Sequence, residues 1–569
     1  SDCRFCDHQA SLIEKELVES LVNRKSMKFL ANWGGVQYAN FLFGKSIIKE
    51  AQQVFESFDF AKKVYSSHSL KNTAYIFPLN FSMKVYKEMR RLNFLPRNLR
   101  LHPLAVIYNY LYNFSKNLYF LSRMIFYPEI ILFRTSLKYS MSKYDFKSCV
   151  YLDDGLFINN YDDNFEDSVS DNKIFSLFED HETLFIDDRY QHSQNWPDIV
   201  RSIPKNTLRL EDLPRFVKKN QYIKKIYPNA FKWRFKMVYL SLKYPFFCAS
   251  SSRSARLKIL WEIFYLKFNT KNAIRMMIEE NNTSSIVHKK NQTSTFFMYF
   301  STTSSITKRV DNNKSMCREY THMIVDNVVS SLESNNWLKS LENNVGKYIT
   351  LGPIFSDKVE IASKNKSEIC DKFRINKDSK IISFLDHTIG YNGVMTFEAY
   401  KRFINGMLTM ARNNPDIIFL FKSKKSLSSM KLYLGKDIVS TINSIKETPN
   451  CIFANNYDVD SFDVIGVSNL VVSAPMSSVI FESLCGGIKT ISYDPFNQYS
   501  DYDTSSNKFS KFNAIHYNEL AQLVDYWIYK CTEIDFDVFI DNFVRPNIDP
   551  RCCENSMIDR FKETLNAKI

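Results

Sequence analysis

The segment 473–487, SAPMSSVIFESLCGG, has the polar residues best suited to holding a phosphorylated ligand. An apolar run ends at its start, and the paired serines Ser477 and Ser478 open a helical pattern that runs to a glycine pair. Serine hydroxyls and free backbone N–H groups at such a point either cap the helix or bind a phosphate. Glu482 falls one turn into this helix, where its carboxylate can accept hydrogen bonds from ribose hydroxyls. Plain helix capping is the competing interpretation.

Two lysines follow another buried strand, the apolar run 417–421. Ligands of parallel α/β proteins bind beyond the carboxyl ends of the strands, and Lys422 and Lys424 stand at such an end. We therefore predict that these lysines help to bind the donor phosphates. A solvated basic loop is the alternative.

The run 381–385 ends in Asp386, His387 and, after two more residues, Gly390. A glycine-containing loop lets the backbone approach a phosphate closely. Asp386 and Gly390 are predicted to line the donor site, and His387 is a candidate catalytic group that could donate to a phosphate. A structural histidine in a loop is the alternative.

The best carboxylate candidates in the first half are Asp153 and Asp154, which follow the apolar run 149–152. A carboxylate at a strand end can act as a general base for a hydroxyl group or as the nucleophile of a double displacement. Asp187 and Asp188 form a competing pair. Either pair could instead bind a metal or make a turn.

The elements that must position these residues alternate between short apolar strands and helical patterns. In the second half, strands are predicted at 348–351, 381–385, 417–421, 451–453, 470–472 and 490–493, with helices at 367–373, 396–413, 426–445, 477–485 and 517–531. This βαβα series predicts a doubly wound parallel sheet. Strands near 149–152, 182–186, 207–210 and 295–300 predict a second α/β unit, followed by a helix at 316–331.

The predicted fold class is α/β with two Rossmann-like domains that face a cleft, which is what the resemblance of about 347–544 to bacterial GT-B enzymes implies. We assign residues 1–345 to an acceptor-side domain and 346–544 to a nucleotide-donor domain. Residues 545–569 are predicted to carry a C-terminal helix that packs back on the body. A chain of 569 residues is long enough for two cores.

One stretch of the second half resembles the donor-site motif of bacterial GT-B enzymes. It has, in order, a strand, paired serines, a helix with a glutamate, a glycine, and a strand that ends in an aromatic residue and Asp. The resemblance covers about 347–544 and is to the enzymes of capsule and O-antigen synthesis: Kdo transferases, polysialyltransferases and teichoic-acid glycerophosphotransferases. It implies a metal-independent transferase with its nucleotide donor on the C-terminal domain. Related enzymes have a His-Pro pair where this chain has Lys424 and Lys425, which leaves the phosphate contacts open.

Positive charge is concentrated in one basic, aromatic segment, residues 61–148. It holds 15 Lys and Arg against three Asp and Glu, or +12 of the chain's net +14. We predict a helical insertion here that docks on an anionic membrane surface. Nucleic acid would use the same charges, but no nucleic-acid-binding motif is present, so no nucleic-acid partner is predicted.

The remaining expectations concern cofactors and location. Cys3, Cys6 and His8 make half of a zinc site with no second half at a standard spacing, so no metal and no cofactor are predicted. No apolar run reaches the length of a membrane-spanning helix. We expect an enzyme in the cytoplasm, peripheral on the inner face of the cytoplasmic membrane.

Three functions follow from these features. The first is transfer of a sugar, with Kdo or another CMP-linked acidic sugar as the first candidate, from a nucleotide donor to a lipid-linked, growing surface polysaccharide. The second is a polyol-phosphate transferase that uses CDP-glycerol or CDP-ribitol. The third is a non-enzymatic scaffold that binds nucleic acid or lipid.

Overall fold

The computed structural model describes most of the chain from residue 207 onward and several separate stretches before it. The described residues are 14–22, 74–76, 83–92, 99–101, 103–135, 144–151, 182–187, 207–275, 282–299, 323–340, 343–353, 355–387, 397–424, 436–454, 459–475, 477–495, 512–552 and 556–566, with isolated residues between them.

Fifteen strands are described, and they are numbered in chain order. They are β1 Ala74–Ile76, β2 Leu99–Leu101, β3 Tyr144–Tyr151, β4 Thr183–Asp187, β5 Thr207–Arg209, β6 Phe268–Arg275, β7 Ser294–Met298, β8 Ile324–Ser330, β9 Asn344–Thr350, β10 Lys380–Leu385, β11 Ile417–Lys422, β12 Cys451–Ala454, β13 Leu470–Ser473, β14 Thr490–Tyr493 and β15 Asn513–Ala514.

The α-helices of the described part are likewise numbered in chain order. They are α1 Glu14–Leu21, α2 Met83–Arg91, α3 Pro103–Arg134, α4 Lys219–Lys225, α5 Tyr227–Lys243, α6 Cys248–Lys267, α7 Asn282–Lys290, α8 Leu332–Ser340, α9 Ser356–Lys364, α10 Lys366–Phe373, α11 Phe397–Asn413, α12 Lys436–Glu447, α13 Ser461–Val467, α14 Val479–Cys485, α15 Tyr517–Asp525, α16 Glu533–Phe539, α17 Arg545–Asn547 and α18 Met557–Asn566. Shorter 3-10 or π-helical turns occupy Leu210–Phe216, Pro245–Phe247, Tyr526–Lys530 and Ile540–Val544.

Two large sheets, both wholly parallel in their described pairings, form the framework. The first has the order β5-β4-β3-β6-β7-β8-β9 and the second β12-β11-β10-β13-β14-β15. In each, the chain first adds strands on one side and then crosses over to the other, which is the doubly wound order. The switch points lie between β3 and β6 and between β10 and β13. The predicted α/β class with two Rossmann-like halves is confirmed.

Apolar runs predicted as strands in the second half match β10 to β14 to within a residue or so at each end. These strands are buried on both faces, which is why they read as continuous runs of Ile, Val, Leu and Phe. The helices packed on the two faces enclose cores around Phe403 and Phe419 on one side and Val464 and Leu420 on the other.

Two predictions are wrong. The helix predicted at 316–331 is a strand over Ile324–Ser330, because its β-branched residues are buried between β7 and β9. The strand predicted at 348–351 as part of the second sheet is instead the end of Asn344–Thr350, which pairs with β8 in the first sheet. The first sheet therefore ends at Thr350. The strand β6, at the centre of that sheet, was not predicted.

The connection between the sheets is tied to the C-terminal segment. Asp549 and Arg560 form a buried bidentate ion pair with two N–O distances of 2.8 Å. Gly352, with φ of +84°, lies so close that a β-carbon there would meet the Asp549 carboxylate. The last helix, α18, packs Met557, Phe561 and Leu565 against residues of the first sheet.

A second close approach sets the position of α9, which lies against α13 and the end of α14. A β-carbon on Gly466 would come within 2.5 Å of the Ala362 β-carbon, and one on Gly486 within 2.5 Å of Val359. The two glycines therefore let α9 sit nearer to the second sheet than any larger residue would allow.

We predict that Gly466→Ala lowers the free energy of unfolding by about 1 to 3 kcal/mol, because the added methyl group overpacks the α9–α13 contact. Adding Ala362→Gly should recover part of the loss. Full recovery is not expected, because the backbone of Ala362 and Ser363 also lies within 2.7 Å. Urea unfolding measures the effect. An unchanged midpoint in Gly466→Ala would contradict the close contact.

Candidate functional site

The carboxyl ends of β10, β11 and β13 lie side by side, because Leu385 is in register with Lys422 on one side and with Ser473 on the other. The backbone bonds continue past the strands. The amide of Asp386 donates to the carbonyl of Lys422 (3.3 Å), and the amide of Ala474 donates to the carbonyl of Leu385 (2.9 Å). This edge is the switch point of the second sheet, where a crevice for ligands forms in doubly wound folds.

Asp386 is buried at this edge, and its carboxylate accepts a hydrogen bond of 2.5 Å from the amide of Lys424. Burial raises the pKa of Asp386 to about 7. The Lys424 amide, the charges of Lys424 and Lys422, and the hydroxyl of Tyr400 act in the opposite direction and hold that pKa down. The pKa of Tyr400 is raised well above its ordinary value by burial and by Asp386.

Glu482 on α14 is a second buried carboxyl group, with 2% of its surface exposed. Burial raises its pKa to about 7, and a hydrogen bond from Ser478 and the charges of Lys358 and Lys424 limit the rise, whereas Asp460 adds to it. Lys424 therefore acts electrostatically on both buried carboxyl groups.

The serines behave differently from the capping prediction. The helix begins at Val479, and Ser478 is its N-cap residue in a helical backbone conformation, without a side-chain capping bond. Its hydroxyl instead bonds to Glu482. Ser477 is buried beside it. Gly486 and Gly487 end the helix as predicted, and Gly487 takes a positive φ of +80°.

Access to this edge is uneven. Lys422 and Ser423 are buried, whereas Lys424 is exposed and His387 is half-buried. An anionic ligand at the edge would therefore contact Lys424 directly. Lys422 acts from inside the protein, where its charge lowers the pKa of Asp386. Gly390 lies outside the described residues.

The structure thus brings together six of the predicted donor-site residues: Asp386, Lys422, Lys424, Ser477, Ser478 and Glu482. Tyr400, Lys358 and Asp460 complete the surroundings and were not predicted. Lys358 lies on α9, before the first strand of this sheet, and Asp460 caps α13 by accepting from the amide of Phe462. No spacing in the sequence marks these three, because tertiary packing alone brings them to the site.

At the matching edge of the first sheet, β3 ends at Tyr151, two residues before Asp153. Asp153, Asp154 and Asp188 lie outside the described residues. Asp187 ends β4, next to β3. Among the described residues, no group of three or more His, Cys, Asp and Glu is arranged to hold a metal ion.

A buried chain of hydrogen bonds anchors the end of β3 and was missed in the sequence. The Tyr151 hydroxyl lies 2.5 Å from His288 Nε2, and the Tyr265 hydroxyl bonds to His288 Nδ1. Because Tyr265 donates to Thr293, its oxygen accepts from Nδ1–H, and Tyr151 must donate to Nε2. Burial and Arg275 lower the pKa of His288 well below its ordinary value, so the ring is neutral.

Comparisons with known proteins give one family match. The model of the family described as "Polysaccharide biosynthesis PFTS motif protein" matches residues 265–524, which include all of the second sheet. No curated protein matches the chain.

Several solved structures match the chain at low sequence identity. A UDP-GlcNAc 2-epimerase from Neisseria meningitidis, bound to UDP-GlcNAc, has 10% identity and a TM-score of 0.44, and the match covers 74% of this chain and 100% of that chain. The wall teichoic acid polymerase TagF has 11% identity and a TM-score of 0.42 over 80% and 98% of the two chains. A glycosyltransferase from Rickettsia africae ESF-5 has 12% and 0.40 over 75% and 99%. Over residues 265–524, the chain thus carries the pattern of a polysaccharide-biosynthesis family.

We predict that the wild-type protein loses stability as pH rises from about 5 to about 8. A carboxyl group whose folded pKa is raised stabilises the fold at low pH, and that contribution is lost as pH rises through the folded pKa. Glu482→Gln should flatten this dependence by up to about 3 kcal/mol, as expected for a pKa raised from 4.5 to about 7.

Urea unfolding at several pH values measures the slope. Glu563→Gln, which removes an exposed carboxylate of α18, is the matched control and should keep the wild-type slope. A Glu482→Gln variant with the same slope as the wild type would show that Glu482 is not a buried, titrating group.

Proposed function

We propose that the protein is a transferase that moves a sugar from a nucleotide donor to a growing cell-surface polysaccharide. The observation that carries the proposal is the convergence of two lysines, two serines and two buried carboxyl groups at the β10/β13 switch point. The family match over this part of the chain supports it. A CMP-linked acidic sugar such as CMP-Kdo remains the first candidate donor.

In this proposal Lys424 meets the donor phosphate, because it is the exposed member of the lysine pair. Asp386 accepts from the Lys424 amide and so fixes the backbone that carries this cation. Glu482 holds the Ser478 hydroxyl, and a ribose hydroxyl that replaces Ser478 as its hydrogen-bond donor would meet the same carboxyl group. Ser477 and the loop to Gly390 complete the predicted donor site.

The transfer itself needs a proton acceptor and a stabilised leaving group. The acceptor oxygen bonds to the anomeric carbon, the bond from that carbon to the phosphate oxygen breaks, and the nucleotide departs with the electron pair. Lys424 would stabilise the charge that develops on the leaving phosphate. We assign the acceptor's proton to Asp153 or Asp154, with His387 as the candidate on the donor side.

The alternative, transfer of glycerol or ribitol phosphate from a CDP-alcohol, uses the same edge. The described cations recognise a phosphate whichever group is transferred, so the choice rests on the donor. The strand-end motifs of the second sheet favour either enzyme over a scaffold without activity.

We predict that the protein binds a nucleotide and that Lys424→Ala weakens this binding by about tenfold or more, through loss of a charge-assisted hydrogen bond. Isothermal titration with CMP, CDP, UDP and GDP, and then with CMP-Kdo and CDP-glycerol, identifies the donor class. Lys562→Ala, an exposed lysine on α18, is the control and should bind as the wild type does. If no nucleotide binds, both transferase proposals fail.

We also predict that turnover continues in EDTA, because lysines can offset the phosphate charge without a metal ion. The assay is product formation from the donor identified by titration, with and without EDTA. Complete loss of turnover in EDTA, with recovery in Mg²⁺ or Mn²⁺, would instead support a metal site at Asp153 and Asp154.

We place the enzyme at the inner face of the cytoplasmic membrane, where a lipid-linked acceptor would be reached. The described part of the chain contains no helix that is both long and apolar enough to cross a bilayer. The basic character of residues 61–148 supports a peripheral contact.

A further inference from the structure

Helix α5 presents a stripe of apolar side chains to solvent. Phe231, Phe235, Tyr239 and Leu242 recur three or four residues apart and are all exposed, Leu242 by 65%. Its opposite face, with Trp233, Met237 and Leu240, is buried. Helical spacing of this kind puts two separate apolar faces on one helix, and burial in the core accounts for only one of them.

Helix α3 shows the same feature over a greater length. Ile107, Leu111, Phe114, Leu118 and Ile125 follow one face and are exposed, and Phe133 near its end is 84% exposed. Of the 21 large apolar side chains that are exposed in the described part of the chain, 14 lie on α3 and α5. Scattered apolar residues are normal on a protein surface, but concentration on two helices indicates a contact surface.

Arg234 joins the two stripes. Its guanidinium lies over the rings of Phe231 and Phe235, at 4.3 and 5.0 Å from their centroids, and donates to the carbonyl of Ile125 on α3 (2.7 Å). It also pairs with Glu129 of α3. A single guanidinium therefore bridges the exposed aromatic rings of α5 and the backbone of α3 at Ile125. We call this joined region the α3–α5 surface.

On both helices, cations lie beside exposed apolar or aromatic side chains. On α5, Lys232, Lys236 and Lys243 each directly follow a residue of the stripe, namely Phe231, Phe235 and Leu242. On α3, Lys116 and Arg123 share one side of the helix and lie over the exposed rings of Tyr112 and Tyr119, at 6.0 and 5.5 Å from the ring centroids. Together the two helices carry seven Lys and Arg and one Glu.

We infer that the α3–α5 surface docks on the headgroup region of an anionic phospholipid bilayer, with the aromatic and aliphatic side chains entering the interface. Apolar bodies with Lys and Arg rims fit such a surface, since each cation adds attraction to anionic lipid. A second copy of the chain is disfavoured as the occupant, because symmetric pairing would place like charges opposite each other. The inference deepens the proposed function by naming the surface that would hold the enzyme near a lipid-linked acceptor.

The inferred surface differs from the predicted basic segment in two ways. Half of it, α5, lies outside residues 61–148. The basic end of α2, inside that segment, is engaged within the protein: Arg91 pairs with Glu88, and Arg90 donates to Tyr86. Binding should accordingly depend on apolar side chains as well as on charge.

Vesicle flotation of the full chain tests the inference. Binding should be strong on vesicles of phosphatidylcholine with phosphatidylglycerol and weak on phosphatidylcholine alone. Replacing Phe231, Phe235 and Tyr239 together by Ser should weaken binding by about tenfold or more, since three aromatic bodies leave the interface. Phe114→Ser with Leu118→Ser gives an independent variant on α3 if the first does not fold. Rising salt should weaken the binding of every variant.

The matched control is Ile534→Ser with Val538→Ser, which removes two exposed apolar residues of α16. It should bind vesicles as the wild type does. Equal losses in the control and the α5 variant, or no wild-type binding to anionic vesicles, would overturn the inference. So would a concentration-dependent dimer that the α5 variant abolishes without any vesicle binding. Nucleotide titration on the same variants distinguishes the membrane-docking surface from the proposed function. Vesicle binding without nucleotide binding would contradict the proposed function but not the docking surface.

Discussion

Two carboxyl groups buried within reach of one lysine are the constraint on which the rest of the site depends. Asp386 and Glu482 lose water on folding, and each has its pKa raised to about 7 as a result. Lys424 acts against burial and lowers the pKa of both carboxyl groups through its charge. Its backbone amide also lowers the pKa of Asp386. The lysine is therefore held at the sheet edge by groups that are destabilised without it. A phosphate that binds Lys424 would bind where the fold has already arranged the charges of this lysine and the two carboxyl groups.

That balance requires helices from distant parts of the chain to stay in place. Lys358 reaches Glu482 because α9 packs closely against α13 and α14, which Gly466 and Gly486 permit. The connection that leads into α9 is in turn held by the Asp549–Arg560 pair and by the amide of Met557, which donates to Asp357 (2.8 Å). The C-terminal segment thus links the packing on the first sheet to the electrostatics of the second.

The first sheet combines a rigid base with a surface that the core does not explain. Below the end of β3, the neutral ring of His288 and its two tyrosines fix the strand that leads to Asp153. On the outside, α3 and α5 are apolar on both their buried and their exposed faces. A helix that only covered this sheet would need one apolar face, and the second face is the one that we propose as a membrane-docking surface.

The sequence by itself determined the second sheet and the edge at which its strands end. Strands β10 to β14 are continuous apolar runs because both of their faces are covered, and parallel order forces their carboxyl ends to one edge, so Asp386, Lys422 and Ser477 could be placed together. The sequence pattern gives a wrong prediction where its periodicity is ambiguous. The short β-branched run Ile324–Ser330 falls in a predicted helix but forms a strand.

Only the tertiary structure decided which side chains surround the site and how they ionise. Tyr400, Lys358 and Asp460 reach the two carboxyl groups from three separate helical elements, so no local spacing marks them. Packing between elements decides which of Lys422 and Lys424 faces solvent. It also decides whether Ser478 caps a helix or bonds to Glu482. The exposure of the α5 stripe could not be predicted for the same reason. The sequence of a helix that is apolar on two faces predicts a buried helix, and only its neighbours in the structure show that one face is exposed.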